Sequence, residues 1–225
     1  MHAANEGAGS EHSFGVNIRL PFEQKPNSVI VGNPRVITYK YFFNRKVAFL
    51  KQADAVALFP GGFGTLDEAM ETLTLLQTGK RNPMPLVLVD NPECSYWSHV
   101  IKLFEDELLA RNYISAEDFA LLERVCSVDK AVERILHFYH RYHSIRYVHG
   151  KLVIRLTSQL SPDDIMKLTD QFHDVLLPGG SIAVSGALEA EMDDGDIIHL
   201  PRLVIDFNRK YFSRLRSLID SINNF

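Results

Sequence analysis

Several features are scarce or missing in this sequence of 225 residues, and each absence excludes a class of protein. Only two cysteines occur, far apart and outside any Cys-x-x-Cys pair, which argues against a disulfide framework and favours a reduced, cytoplasmic setting. No apolar run approaches the roughly 20 residues of a membrane span, and the first residues lack the basic-then-apolar order of a signal peptide. The formal net charge of -4 argues against nucleic acid as a partner.

What is present indicates a globular α/β protein. With 46% hydrophobic and 23% charged residues, the chain can bury one or two cores. Short apolar runs alternate with helical patterns, which predicts a Rossmann-like parallel sheet with flanking helices over residues 1–145. The runs that suit strands are residues 16–20, 55–59 and 86–90.

Residues 60–68, Pro-Gly-Gly-Phe-Gly-Thr-Leu-Asp-Glu, carry the clearest functional pattern. Three glycines in four positions let a ligand approach the backbone, and residues 66–77 are predicted to form the helix that begins there. A strand, a glycine-rich turn and a helix N-terminus together make a phosphate cradle. The structural alternative is a capping box, in which Thr65 and Glu68 satisfy amides of the first helical turn.

Two common nucleotide motifs do not fit this segment. No Lys-Ser/Thr pair ends it, as a Walker loop requires, and Leu66-Asp67 replaces the spacing to the third glycine of Gly-x-Gly-x-x-Gly. Hydrolysis of nucleoside triphosphates and NAD chemistry are therefore both poorly supported.

The nonapeptide is similar to the Pro-Gly-Gly-x-Gly-Thr-x-x-Glu signature of the LOG ("lonely guy") family. This family comprises the cytokinin riboside 5'-monophosphate phosphoribohydrolases, long mislabelled as lysine decarboxylases. Upstream, Asn44-Arg45-Lys46 and residues 47–55 resemble the family's Arg-Lys pair, the helix after it and an Ala-Asp-Ala entry into a strand. Further matches flank the signature: residues 15–24, Thr74, Gln77 and Gly79. The resemblance covers about residues 1–145.

The start of the sequence departs from the family pattern. Residues 1–8 resemble the middle of a family helix that normally follows a Gly-Gly-Gly-Pro-Gly turn and two earlier strands. We therefore expect an N-terminally truncated sheet, whether from a fragment, a late start codon or a shortened gene. Loss of the first βαβ unit would uncover apolar faces and remove a turn that helps form the family's nucleotide pocket.

The resemblance implies hydrolysis of the N-glycosidic bond of nucleoside 5'-monophosphates, of the AMP or cytokinin riboside type, to free base and ribose 5-phosphate. Its transition state resembles an oxocarbenium ion, so a carboxylate must stabilise positive charge or orient the attacking water. Glu68 is the candidate for that role. The amides around Gly61, Gly62, Gly64 and Thr65, with the Thr65 hydroxyl, are the candidate phosphate donors.

Three further residues are assigned roles by their match to the family. Arg45 matches the arginine with a catalytic role, and a guanidinium there can pair with a phosphate or orient the carboxylate. Lys46 and Thr74 are the additional candidates for substrate binding. The structural alternative for Arg45 and Lys46 is a solvated helix face. The family also implies a homodimer or a higher even oligomer, and no cofactor.

Two alternative functions stay open at this point. The first alternative is a catalytically inactive nucleotide-binding or regulatory protein that keeps the phosphate cradle. The decarboxylase label would instead need a lysine that forms a Schiff base with pyridoxal phosphate, and no motif places one.

Residues 146–225 are predicted to form a separate, small α+β module of βαββα order. Its elements are a strand at 151–157, a helix at 161–176, strands at 181–189 and 197–207, and a helix at 209–223. Residues 97–142, just before it, read as helical. The segment 193–196, Asp-Asp-Gly-Asp, is interpreted as a hairpin turn, because the remaining ligands of an EF-hand are missing.

The histidines before this module invite a metal hypothesis. Glu133, His137 and His140 share one helical face, with His143 and His149 nearby. The same segment is rich in aromatic residues, so a packed junction explains it without metal. We therefore predict no metal site.

Overall fold

A computed structural model describes residues 2–20, 26–91, 93, 95–193 and 195–225. Parts of four sequence predictions lie outside these residues: Met1, positions 21–24 of the family-like loop, Cys94 and Asp194. The chain divides into two compact units, residues 1–53 and 54–225, and each is described by itself. The division after residue 145 stays a prediction, although that position falls inside a strand.

The first unit holds a two-stranded parallel sheet and two helices. Its elements are α1 (His2–Ala8), a 3-10 turn (Ser10–His12), β1 (Gly15–Ile18), β2 (Val36–Tyr39) and α2 (Phe42–Gln52). Gly15 lies opposite Val36 and Ile18 lies opposite Tyr39. Strand β1 was predicted, whereas β2 was missed.

The second unit begins with a three-stranded parallel sheet in the order β3-β4-β5. Its elements are β3 (Val56–Leu58), α3 (Phe63–Gln77), β4 (Leu86–Val89), α4 (Tyr96–Leu103), a π-helix (Phe104–Leu109), a 3-10 helix (Ala116–Leu121), β5 (Glu123–Val125) and α5 (Val128–Phe138). The central strand β4 is buried at all four positions, as its Leu-Val-Leu-Val sequence requires. These parallel sheets with flanking helices confirm the α/β fold class.

An antiparallel sheet in the order β6-β7-β9-β8 completes the second unit. Its elements are β6 (Tyr142–Val148), β7 (Lys151–Leu156), α6 (Pro162–Gln171), β8 (Ile182–Ser185), β9 (Arg202–Ile205) and α7 (Phe212–Asn224). The predicted βαββα order is present, preceded by β6. His149 and Gly150, both at positive φ, form the two-residue turn between β6 and β7.

Helix α7 packs in the core of the antiparallel sheet and also bonds to residues just before β4 and in β5. Arg216 is 2% exposed and donates to the Met84 carbonyl at 3.1 Å and to Glu123 Oε1 at 2.9 Å. Its guanidinium also lies over the ring of Phe138, 4.6 Å from the centroid. Phe138 belongs to the same core cluster as Leu218 and the inner residues of β7.

The predicted hairpin turn at residues 193–196 is wrong. Strands β8 and β9 do pair antiparallel, but residues 186–201 connect them and Gly195–Ile197 form a 3-10 turn. Glu191 holds this long connection on the sheet. It is fully buried and accepts from Arg155 at 2.6 Å and from Arg202 at 3.3 Å. Two buried guanidinium partners compensate the charge of the carboxylate, which a sequence pattern does not reveal.

Among the described residues, none of the helices has the length and apolar character needed to span a bilayer.

Candidate active site

The glycine segment forms the loop between β3 and α3, at the carboxyl end of a parallel strand. Helix α3 begins at Phe63 with Gly62 as its N-cap, earlier than the predicted start at residue 66. Thr65 is consequently the third residue of the helix and Glu68 the sixth. A capping box with Thr65 at the N-cap therefore does not form, and the structural alternative for this segment is wrong.

The first residues of α3 and its N-cap are exposed. Within the described part of the chain, the amides of Gly62, Phe63 and Gly64 donate to no backbone carbonyl. The next two amides, of Thr65 and Leu66, donate to the Gly62 carbonyl at 3.0 and 3.2 Å. Donors that face solvent at the positive end of a helix dipole make a binding site for an anion.

Glycine is required at position 61 for a steric reason. A Cβ atom there would overlap the hydroxyl of Thr65, whereas no atom lies within 4 Å of a Cβ added at Gly62 or Gly64. The Thr65 side chain therefore packs against the loop backbone. This contact brings its hydroxyl beside the amides that begin the helix.

The start of α4 holds this loop in place through two hydrogen bonds. The Tyr96 hydroxyl donates to the Gly61 carbonyl at 2.9 Å, and the Trp97 indole donates to the Leu58 carbonyl at 3.1 Å. Trp97 is fully buried. Because a trans peptide is planar, fixing the Gly61 carbonyl also fixes the direction of the Gly62 amide.

A buried carboxylate supports the start of α4 in turn. Asp90, at the end of β4, is 2% exposed and accepts from Arg124 Nε on β5 at 2.7 Å. Its other oxygen accepts a long bond from the Trp97 amide at 3.4 Å. Sequence reasoning missed Asp90, Tyr96 and Trp97 as site residues. The available signal was their position after β4, because neighbouring parallel strands end at the same sheet edge.

Glu68 lies on the buried face of α3. It is 7% exposed and shares an inward stripe with Ala69, Thr72 and Leu76. Asp67 is exposed, in agreement with the turn of about 100° between successive helical residues. The loop and α3 therefore place Gly61, Gly62, Gly64 and Thr65 together, with Glu68 about one turn further along the helix.

Thr74 lies elsewhere on the same helix. It is exposed, and its hydroxyl donates to the Met70 carbonyl at 2.7 Å. Six residues at about 100° each turn it well away from Glu68, and it lies about three turns from the helix start. Its role in substrate binding stays a prediction.

Arg45 and Lys46 lie on α2, in the first unit, and both are half-buried. Arg45 Nε donates to the Val16 carbonyl of β1 at 3.1 Å, which ties the helix to the two-stranded sheet. A fully solvated helix face is therefore not the environment of these side chains. Their catalytic and binding roles stay predictions.

The histidine segment forms part of a packed region. The rings of His137 and His140 are nearly parallel at 6.5 Å, and His137 Nε2 lies 3.0 Å from Asn224 Oδ1. Tyr139 donates to the Asp54 carbonyl at 2.6 Å, and burial raises the pKa of its phenol to about 12. Among the residues that the structure covers, no three His, Cys, Asp or Glu side chains converge on a position for a metal ion.

Comparisons with known proteins identify the relatives of this chain. A family model described as "possible lysine decarboxylase" matches residues 1–135. The cytokinin riboside 5'-monophosphate phosphoribohydrolase LOG7 of Arabidopsis thaliana is 30% identical over 108 residues, which cover 48% of this chain and 46% of the relative. LOG4 of the same plant is 30% identical over 105 residues, covering 46% and 48%. This chain spans about half the length of these relatives.

Proposed function

Because this chain belongs to the LOG family, whose model is described as "possible lysine decarboxylase", we propose that it hydrolyses the N-glycosidic bond of a nucleoside 5'-monophosphate. The products are the free base and ribose 5-phosphate. AMP and cytokinin riboside monophosphates are the proposed substrates, the second because the plant relatives are named for them. A homodimer or higher even oligomer in the cytoplasm, with no nucleic-acid partner, belongs to the same proposal.

The observation that carries this proposal is the set of amides at residues 62–64, which donate to no backbone carbonyl among the described residues. A phosphate monoester fits there because backbone donors and the helix dipole both favour an anion. The Thr65 hydroxyl, packed against Gly61, adds a donor that can rotate toward the phosphate. The phosphate is thereby the anchor of the substrate.

We assign the action on the ribose of a substrate anchored in this way to Glu68. Six residues of α3 separate it from Gly62, a rise of about 9 Å along the axis. Its carboxylate would stabilise the positive charge that develops at the anomeric carbon, or orient the water that attacks it. That water adds to the anomeric carbon as the C–N bond breaks, and the base leaves with a proton.

Release of adenine and ribose 5-phosphate from AMP by the 225-residue chain tests this proposal, with product chromatography as the measurement. We expect release by the wild type and a loss of at least about 100-fold in Glu68→Gln, because the amide keeps the shape and removes the charge. The Glu68→Gln variant should still bind AMP in calorimetry. Undiminished release by Glu68→Gln would remove Glu68 from the mechanism, and AMP binding without release by the wild type would favour a nucleotide-binding protein.

The family-implied role of Arg45 has a separate test, and the role of Lys46 in substrate binding is part of the same proposal. Arg45→Ala is expected to weaken both AMP binding and turnover, because a guanidinium can pair with the phosphate or orient a carboxylate. Wild-type kinetics in Arg45→Ala would instead assign Arg45 a structural role, to which its bond to the Val16 carbonyl contributes.

A further inference from the structure

A cavity separate from the glycine loop lies along the C-terminal half of α3. It is partly open to solvent, has a volume of about 160 Å³ and is lined by α3, by the π-helix and by the 3-10 helix at Ala116–Leu121. The walls are mainly apolar, with Leu73, Phe104 and Leu121 among them. Thr74, Gln77 and Asp118 are the polar residues of the lining.

This cavity lies on the opposite side of α3 from the proposed catalytic carboxylate. Counted at about 100° per residue, Met70, Leu73, Thr74 and Gln77 form a stripe centred about 180° from Glu68. A ligand in the cavity therefore contacts the helix but not the face that carries Glu68. Thr74 and Gln77, which match the family pattern, line this cavity and not the glycine loop.

Two features distinguish the walls of the cavity: a π-helix on one side and a set of hydrogen bonds to Asp118 on the other. The π-helix supplies Phe104 and Leu108, and its five-residue ring is closed by the bond from Ala110 to the Glu105 carbonyl at 3.1 Å. Segments of π-helix are rare and are frequently found at functional sites. On the other side, Asp118 accepts from Gln77 Nε2 at 2.8 Å, from the Ser115 amide at 2.9 Å and from the Ser213 hydroxyl.

The polar atoms of the cavity select the chemistry of a ligand. The Thr74 hydroxyl already donates to Met70, and the Gln77 amide group already donates to Asp118. What remains are two acceptors, the Thr74 oxygen and the Gln77 carbonyl oxygen, and the second N–H of the Gln77 amide. The carboxylate of Asp118 is satisfied by three donors, so a cation gains little there.

We propose that this cavity is a second binding site, for a small uncharged aromatic molecule with one N–H or O–H donor. Its volume is close to that of engineered apolar cavities of about 150 Å³ that hold benzene. The apolar walls pack against the ring, and the oxygen atoms of Thr74 and Gln77 accept the hydrogen bond from the donor.

Binding of 5-fluoroindole to the full chain, followed by fluorine NMR, tests this site. We expect one saturable site, weakened about three- to tenfold in Thr74→Val, because one neutral hydrogen bond is lost from an isosteric side chain. Thr78→Val is the matched control. Its hydroxyl makes the same bond, to the Thr74 carbonyl at 2.7 Å, but it does not line the cavity.

Two further measurements locate the bound 5-fluoroindole: a variant that fills the cavity and a competition with AMP. Leu73→Trp fills the cavity and should abolish binding, with circular dichroism confirming that the variant folds. Saturating AMP should leave 5-fluoroindole bound, because the two sites lie on opposite sides of α3. No saturable binding, equal weakening in Thr74→Val and Thr78→Val, or displacement by AMP would each overturn the proposal, whether or not the chain hydrolyses AMP.

Discussion

At the residue scale, the side chain of Tyr96 decides how the glycine loop presents its amides. Its hydroxyl is bonded to the Gly61 carbonyl, 35 positions earlier in the sequence. The Gly62 amide, which is trans to that carbonyl, is aimed by the same bond. Tyr96 is therefore a positioning residue for a phosphate and need not touch it.

Removing that hydroxyl should weaken nucleotide binding without unfolding the protein. Tyr96→Phe is expected to raise the dissociation constant for AMP about two- to tenfold, since one neutral hydrogen bond is lost. Calorimetric titration measures the change, and the urea midpoint should stay near that of the wild type. Tyr113→Phe, at a side chain that is 71% exposed, is the control. Equal affinities in all three proteins would show that Tyr96 does not aim the loop.

The residues of the site differ in how far they can be predicted from sequence. Gly61, Gly62 and Thr65 are recognisable because their function depends on a local pattern of backbone and capping. Tyr96 and Asp90 act through contacts formed only when neighbouring strands align, so no local pattern identifies them. The start of α3 was misplaced because Phe63, Gly64 and Thr65 are weaker helix formers than alanine or leucine, and the structure overrode that preference.

At the scale of elements, α7 depends on a buried arginine. Arg216 donates to Met84, Glu123 and Asp220, and burial raises the pKa of the Asp220 carboxyl. Removing the guanidinium leaves a buried carbonyl and a partly buried carboxylate without their donor.

Arg216→Met should therefore lower the free energy of unfolding by about 2–3 kcal/mol, because the buried Met84 carbonyl loses its donor and two carboxylates that are about a third exposed lose their buried partner. Arg134→Met is the matched control, because Arg134 also pairs with Glu123, at 3.5 Å, but is 52% exposed. It should cost at most about 1 kcal/mol. Urea unfolding measures both variants, and equal small losses would contradict the buried role of Arg216.

The missed elements share a physical reason. Strands β2 and β5 are short, and the Glu-Arg-Val sequence of β5 has no apolar alternation. Strand β6 follows α5 after only three residues, and the helical interpretation was carried to its first residue, Tyr142, while the rest of the strand was assigned no element. The central strand β4 was predictable because burial on both faces leaves a continuous apolar run.

At the scale of the whole molecule, ion pairs of the antiparallel part make stability depend on pH. Hydrogen bonds from Arg214 hold the pKa of Asp174 below its ordinary value of 3.8, and Lys151 does the same for Asp206. Carboxylates with a lowered pKa in the folded state stabilise it above their unfolded pKa, and this contribution is lost as the pH falls through the folded value.

The urea midpoint should therefore be nearly constant from neutral pH to about pH 5 and fall below about pH 4. Arg214→Gln should flatten part of that fall, because Asp174 then titrates with a more ordinary pKa. Lys210→Gln removes the same charge at an exposed position and should leave the profile unchanged. A wild-type profile that is flat down to about pH 2 would contradict the assignment.

The bond between Trp97 and the Leu58 carbonyl has a spectroscopic consequence. The chain has one tryptophan, so its intrinsic fluorescence comes from a fully buried indole whose N–H is bonded to the last residue of β3. Emission should be shifted to the blue in the folded state. Any ligand that moves the adjoining glycine loop should change its intensity, so the protein carries its own optical probe, without a label, at the place where a phosphate is proposed to bind.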